Sequence, residues 1–380
     1  MERGVGRITQ REGCTASGLF LDAEAARRRV VVDSLFPMKT SRVVPVVLQL
    51  TALVVALGAG RLAAAPNEKF LGRWALTLPN GAAGWLEVTK EKGYYDGSIL
   101  WGGGSVVPVS SVVLTEDSLI VTRTRDVQRK NATGKVVRTQ QFTEAITAKL
   151  GEGDTLKLTQ LAPKLNGTAY DGAEFSGQRI PALPARPDLK KVKFGEPIAL
   201  FTGKDLAGWK PKEANVESAW KVEGGVLSNR VPKHAPGTPA KRTANLRTEK
   251  EFEDFNLKLE VNVPAGSNSG VYLRGIYAIQ VFDSFGKALD SHNMGVLYSR
   301  ITPSVAAEKP AGEWQTLEMT LVDRHVTVIL NGKTIIDNQP AAGCTGGAMW
   351  SDQFKPGPIY LQGDHGSVAY RNLVLRPVVK

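Results

Sequence analysis

His325-Val326-Thr327-Val328-Ile329-Leu330-Asn331-Gly332-Lys333-Thr334-Ile335-Ile336-Asp337 carries the reading of the fold. Val326, Val328 and Leu330 recur at every second position, which is the strand period. Asn331-Gly332 is the dipeptide that two-residue hairpin turns favour, because both central residues take positive φ. Two antiparallel strands are therefore expected, His325 to Leu330 and Thr334 to Asp337. Working outward, Trp220 to Val226, Asn245 to Thr248, Phe255 to Val263, Gly270 to Arg274, Tyr277 to Phe282, Glu313 to Leu321, Ile359 to Gln362 and Val368 to Arg376 are strand-length apolar runs bounded by turn residues. Ten or more strands with long loops between them, over residues 194–380, predict a two-sheet sandwich of jelly-roll type.

Upstream of that half, Pro181-Ala182-Leu183-Pro184-Ala185-Arg186-Pro187 to Lys193 is Pro-rich and basic and reads as a semi-rigid linker, 181–193. Residues 66–180 form another series of short runs. Arg73 to Leu78 precedes the turn Pro79-Asn80-Gly81; Gly84 to Val88 and Tyr94 to Trp101 lead to Gly102-Gly103-Gly104; Val106 to Leu114, Ser118 to Arg123, Thr139 to Ala148 and Thr155 to Gln160 follow, with a tight turn at Asn166-Gly167. About eight consecutive antiparallel strands predict a small up-and-down β-barrel. The chain is thus expected to be all-β, a barrel followed by a sandwich.

Residues 1–65 are of another kind. Met38-Lys39-Thr40-Ser41-Arg42 is basic, Val43 to Gly60 is almost wholly apolar, and Ala63-Ala64-Ala65 is small, the layout of a secretory signal peptide over 38–65. Pro45, Gln49 and Arg61 weaken the alternative, a membrane anchor. Residues 1–37, with Arg27-Arg28-Arg29, fit no folded pattern and read as an unstructured start-site extension. The 380 residues carry a formal charge of +11, but 1–65 holds nine basic and five acidic side chains, so the remainder carries +7. Those charges are scattered, without the dense stripe and interleaved aromatics of a nucleic-acid surface. Cys14 lies in the start-site extension and Cys344 is the single cysteine after residue 65, so no internal disulfide is expected. Export without disulfides points to the periplasm, the envelope or secretion in a bacterium.

In the second half Leu200-Phe201-Thr202-Gly203-Lys204-Asp205-Leu206-Ala207-Gly208-Trp209, Trp220 to Leu227, and Ser267-Asn268-Ser269-Gly270-Val271-Tyr272-Leu273-Arg274-Gly275 stand in this order. They are followed by Lys309 to Trp314, Val328 to Lys333, Gly357-Pro358-Ile359-Tyr360-Leu361-Gln362-Gly363-Asp364-His365-Gly366, and Arg371-Asn372-Leu373. This succession resembles the 3-keto-disaccharide hydrolase domain family. The resemblance covers about half the chain and leaves 66–180 outside it. It implies a concanavalin-like jelly roll acting on glycosides whose sugar bears a ketone at carbon 3. The family usually carries Glu where Ala278 stands, and alanine can neither move a proton nor bind a metal.

A ketone at carbon 3 acidifies the hydrogen on carbon 2, so the group on carbon 1 can leave by elimination, with water added afterwards. Such a site needs a base near carbon 2, donors for the enolate oxygen and an acid for the leaving oxygen. It does not need the paired carboxylates of an ordinary glycosidase, and the Glu-x-Asp-x-x-Glu strand pattern of laminarinase-like jelly rolls is missing from the sequence. His365 lies past a strand end between glycines, and an imidazole titrates near neutrality, so it is the expected base or acid, with Asp364 orienting it. Alternation along Gly270 to Arg274 sets Arg274 on the face of Tyr272, where a guanidinium and an aromatic ring suit sugar recognition. On Tyr277 to Phe282, Ala278, Gln280 and Phe282 share a face and Asp283 follows.

Catalytic roles are therefore expected of His365, Asp364 and Arg274, and substrate contacts of Tyr272, Gln280, Asp283, Gln362, His292 and Trp350, the last as a wall or lid in the loop Gly343 to Gly357. His234 is another loop histidine, His325 and the tryptophans 209, 220 and 314 read as structural, and Cys344 as a bystander. No Cys or His spacing marks a zinc site; a loop-bound Ca2+ ion stays open, and no cofactor is required by the pattern. Two function classes remain: an exported enzyme cleaving 3-keto-glycosides, and a non-catalytic carbohydrate-binding or envelope adhesion protein using the same face.

Overall fold

The computed structural model describes residues 66–231 and 243–379. The signal-peptide and start-site readings, Cys14 and His234 lie outside the described residues. The described residues cluster as one compact unit. The sequence of elements is all-β, with one 3-10 turn at Glu68–Phe70 and no α-helix among the described residues.

The first sheet holds β1 (Gly72–Thr77), β2 (Ala83–Lys90), β3 (Tyr95–Trp101), β4 (Val107–Pro108), β5 (Ser111–Leu114), β6 (Leu119–Lys130), β7 (Val136–Leu150), β8 (Thr155–Pro163) and β9 (Tyr170–Ile180). Its order is β4-β3-β2-β1-β9-β8-β7-β6-β5. The expected barrel is thus a curled nine-stranded sheet. Its two edges approach through consecutive residues, as Val109 donates its N–H to Gly97 and Ser110 to Thr122. Inside the curl lie Trp74, Leu76, Leu86, Val88, Ile99, Leu119, Val121, Ile146, Leu156 and Leu158. Strands β6 and β7 run several residues past the apolar stretch that announces them. There most side chains of both faces are exposed or half-buried, so no period marks the ends.

The sandwich comprises β10 (Ile198–Ala199), β11 (Trp209–Pro211), β12 (Trp220–Glu223), β13 (Val226–Asn229), β14 (Leu246–Phe252), β15 (Phe255–Asn262), β16 (Asn268–Leu273), β17 (Tyr277–Phe282), β18 (Trp314–Val322), β19 (His325–Leu330), β20 (Lys333–Pro340), β21 (Gly357–Leu361) and β22 (Val368–Pro377). One sheet runs β12-β13-β22-β15-β18-β19-β20 with β10 beside β22, and the other runs β11-β14-β21-β16-β17. Leu257, Leu259, Val261, Leu317, Met319 and Leu375 of the first pack with Val271, Leu273, Ile279, Val281 and Ile359 of the second. Asn331 and Gly332 take φ 50° and 79°, the turn the opening stretch predicts. The expected strand Trp220 to Val226 is instead a hairpin, because Gly224 and Gly225 both take positive φ and reverse the chain.

Strand β2 joins the two parts by its period of two. Leu86 and Val88 enter the curl, while Trp85, just before Leu86, faces the opposite way and joins the sandwich core. Its Nε1–H donates to the Ala342 carbonyl at 3.1 Å, and the Arg300 guanidinium lies 4.2 Å over its ring. Gly343 leaves the space, since a Cβ there would sit 2.3 Å from Trp85 Nε1. The 181–193 stretch runs without strand structure along β20, tied by Asn338 Nδ2 to the Pro187 carbonyl at 2.8 Å and by Arg186 to Asp337 at 3.0 Å.

Candidate active site

Strands β16, β17 and β21 supply a continuous face. The register sets Gly270 opposite Gln280, Tyr272 opposite Ala278, and Tyr272 opposite Tyr360 on β21. Gln362 follows the end of β21 and donates its N–H to the Gly270 carbonyl at 2.9 Å. Beyond β17 the segment 295–298 runs alongside antiparallel, with the Tyr298 N–H on the Ala278 carbonyl at 2.9 Å. These residues floor a cavity of about 140 Å³, lined by Asn268, Tyr272, Ala278, Gln280, Tyr298, Gln362 and His365 and closed at one side by Gly103, Gly104, Gly346 and Gly347.

His365 reaches this cavity from the loop after β21. Its Nδ1 lies 2.6 Å from Asp364 Oδ1 and 3.0 Å from Gln362 Nε2. The carboxylate only accepts and the amide nitrogen only donates; the shorter, charge-assisted contact is the one to Asp364, which assigns the ring hydrogen to Nδ1 and the basic lone pair to Nε2. The imidazole is half exposed and the carboxylate is 15% exposed, so Asp364 is the anchored member of the pair. Gln280 Nε2 lies 3.3 Å from Asn268 Oδ1, which presents two side-chain amides side by side.

Tyr272 stacks on Tyr360 with ring centroids 4.1 Å apart, and its hydroxyl donates to the Gly346 carbonyl at 2.7 Å. Burial pushes both phenols well above the ordinary tyrosine range, so Tyr272 is a neutral platform. The wall above it depends on glycine. A Cβ on Gly346 would lie 2.0 Å from the Gly104 carbonyl oxygen, and one on Gly347 2.6 Å from the Tyr272 hydroxyl. The N-terminal sheet therefore contributes backbone to the rim of a cavity floored by the sandwich.

Four expected residues lie elsewhere. Arg274 is 3% exposed, and its Nη2 donates to the carbonyls of Gln353 and Lys355. Strand β16 ends at Leu273 and Arg274 takes φ 55°, so alternation no longer governs its direction. Asp283 accepts the Gly266 N–H at 2.9 Å and serves a turn. Trp350 lies 3.8 Å under the Lys355 ammonium and packs against the sandwich core instead of covering the cavity. His292 does not line the cavity; it meets Tyr298 edge-on with ring centroids 5.0 Å apart.

His325 is buried on the Asp323 carbonyl, and Cys344 is buried with its thiol pushed up to about 11 by that burial. Gly346-Gly347 and Gly103-Gly104 read from sequence as a loop and a turn, without sign that they meet; Asn268 stands inside a quoted motif, and nothing in Gly295-Val296-Leu297-Tyr298 announces a cavity wall. Among the described residues no group of three His, Cys, Asp or Glu side chains is placed to hold a metal ion, and no helix is long and apolar enough to cross a membrane.

Residues 196–376 match the family model of the 3-keto-alpha-glucoside-1,2-lyase-like domain. A search of curated proteins finds no match. Two solved structures of provisionally assigned glycosyl hydrolases from Parabacteroides distasonis ATCC 8503 are similar, one at 20% identity and TM-score 0.38 over 48% of this chain and 94% of that one, the other at 24% and 0.37 over 48% and 100%. A prokaryotic beta-1,3-1,4-glucanase (lichenase) derived from a mouse hindgut metagenome aligns at 10% identity and TM-score 0.29 over 48% of this chain and 99% of that one. Scores this low carry no argument about activity. The family match covers just under half of the chain and rests on the domain that builds the cavity floor: residues 196–376 are similar to the 3-keto-alpha-glucoside-1,2-lyase-like domain family.

Proposed function

We propose that the chain cleaves glycosides bearing a ketone at carbon 3, by elimination across carbons 1 and 2 followed by addition of water. The observation that carries this reading is His365, paired with Asp364, on the rim of the cavity that Gln280, Asn268 and Tyr298 line. His365 Nε2 takes the carbon-2 hydrogen. The side-chain amides of Asn268 and Gln280 donate to the enolate oxygen. Tyr298 is the hydroxyl on the cavity wall beside Ala278 and gives its proton to the departing oxygen, since Tyr272 already spends its hydrogen on Gly346. The bond from carbon 1 to the leaving oxygen breaks, an unsaturated keto-sugar and an alcohol result, and water adds to the former.

Export from a bacterial cell, supported by the layout of residues 38–65, belongs to the same proposal and puts the reaction in the periplasm or outside the cell.

A second reading, carbohydrate binding without turnover, is favoured by Ala278, which lines the cavity where the family usually carries Glu. Incubation of a 3-keto-disaccharide and of its unoxidised parent with the wild-type protein and with His365→Ala separates the two. The enzyme reading expects products from the keto-sugar alone and a fall of about 10²–10⁴ in the variant. Retention of the sugar on the protein with no products in the wild type would establish the binding role.

A further inference from the structure

Outside this set of residues, a second constellation lies where the N-terminal sheet meets the sandwich. Ser105 follows the glycine run after β3, and its Oγ is 2.8 Å from His292 Nε2. On the other side of the ring, His292 Nδ1 is 2.5 Å from Asp290 Oδ1. Asp290 also accepts the His292 N–H at 2.9 Å, which fixes the ring's approach to the carboxylate. The carboxylate only accepts, so Nδ1 carries the ring hydrogen and Nε2 accepts from the serine hydroxyl. A nucleophile bonded to a base, itself oriented by an acid, is the arrangement by which serine attack on carbonyl carbon is recognised, whatever the order along the chain.

Three further features suit such chemistry. The Tyr298 hydroxyl lies 3.5 Å from Ser105 Oγ, close enough to meet an oxygen developing charge beside the serine. Gly103 and Gly104 have no atoms within 4 Å of where a Cβ would stand, so the approach next to Ser105 is open. Ser299 holds the segment in place by accepting the Val106 N–H at 2.9 Å. The hydrogen bond from His292 also keeps the Asp290 carboxyl below the usual carboxylate range, so it stays charged at neutral pH.

We propose that Ser105, His292 and Asp290 form an acyl-transfer centre that accepts short-chain carboxylic esters, such as acyl groups carried on a sugar hydroxyl. The openness at Gly103 and Gly104 admits a small acyl group, and the shared wall residue Tyr298 places the centre beside the sugar cavity. Ser105 Oγ bonds to the ester carbonyl carbon as its hydrogen passes to His292 Nε2. The ester C–O bond breaks, and the leaving alcohol takes that hydrogen. Water, activated by the same nitrogen, then releases the carboxylic acid and restores the serine. No oxidant or cofactor enters the balance.

The test uses the full chain with diisopropyl fluorophosphate as probe and p-nitrophenyl acetate as substrate. The expected result is one covalent adduct per chain, mapped by peptide mass to Ser105, with acetate-ester hydrolysis that Ser105→Ala abolishes. His292→Gln is expected to slow both labelling and hydrolysis about 10³–10⁴-fold. Mapping on the unaltered chain does not depend on any variant folding. No adduct at Ser105, or labelling unchanged in His292→Gln, overturns the proposal and leaves the three residues as a clasp between the sheet and the sandwich. The assay contains no keto-sugar, so its outcome is independent of the elimination reading.

Discussion

On the floor of the cavity, side chains stand in sheet register, Gly270 beside Gln280 and Tyr272 beside Ala278. On the wall, Gly104 meets Gly346 through backbone atoms alone. The floor is specified by which side chains project from a strand, and the wall by which side chains are missing. Changes of chemistry should therefore be felt on the floor, and changes of size on the wall and beneath it.

Trp85 is the largest support under the wall, buried to 2% exposure against the loop that continues into Gly346. Trp85→Ala is expected to cost about 3–5 kcal/mol, read from denaturant unfolding. A loss under 1 kcal/mol would show that the two parts of the chain are energetically separate.

Gly346→Ala sharpens the contrast from the wall side. The added Cβ must displace the Gly104 backbone, so a loss of about 1–3 kcal/mol is expected, with a rise in KM for sugar. On the floor, Tyr272→Phe keeps the stacked ring and removes one hydrogen bond, leaving the Gly346 carbonyl without its donor. About 1 kcal/mol should be lost, and thermal unfolding of the two variants side by side ranks wall above floor.

Far from the cavity, Glu260 accepts Arg371 Nε at 2.7 Å and Asn372 Nδ2 at 2.7 Å. The Arg371 hydrogen bond holds its carboxyl below the usual range, with Asn372 adding to it. A lowered folded-state pKa stabilises fully above the unfolded value near 4.3, and the benefit disappears as pH falls through the folded value. Glu260→Gln should therefore lose at most about 1 kcal/mol at neutral pH, and its melting temperature should converge on the wild type's as the pH falls through the lowered folded-state value.

The same contrast explains what the sequence reveals. Strand period sets Tyr272 and Gln280 on one face, and the hairpin dipeptide at Asn331 fixes an antiparallel sheet; both survive because the backbone is regular there. Arg274 breaks the inference because a positive φ begins one residue past the strand, which no local apolar count reveals. Tyr298 is invisible for a related reason: its segment is held by bonds to β17, Gln280 N–H to the Val296 carbonyl among them, and lacks a run of its own. Gly103 and Gly104 read as a turn, which they are, but their role at the rim depends on a loop more than two hundred residues away. His365 is legible because it stands between glycines at a strand end, where a side chain has little to hide behind.

The most direct test of proton abstraction at carbon 2 is the isotope pattern of the product. A 3-keto-glucoside cleaved in D2O and analysed by NMR at early times should release keto-sugar carrying deuterium at carbon 2, faster than the enzyme-free exchange, and His365→Ala should show neither release nor incorporation. Keto-sugar released with its original hydrogen at carbon 2 would contradict elimination and point to direct displacement at carbon 1.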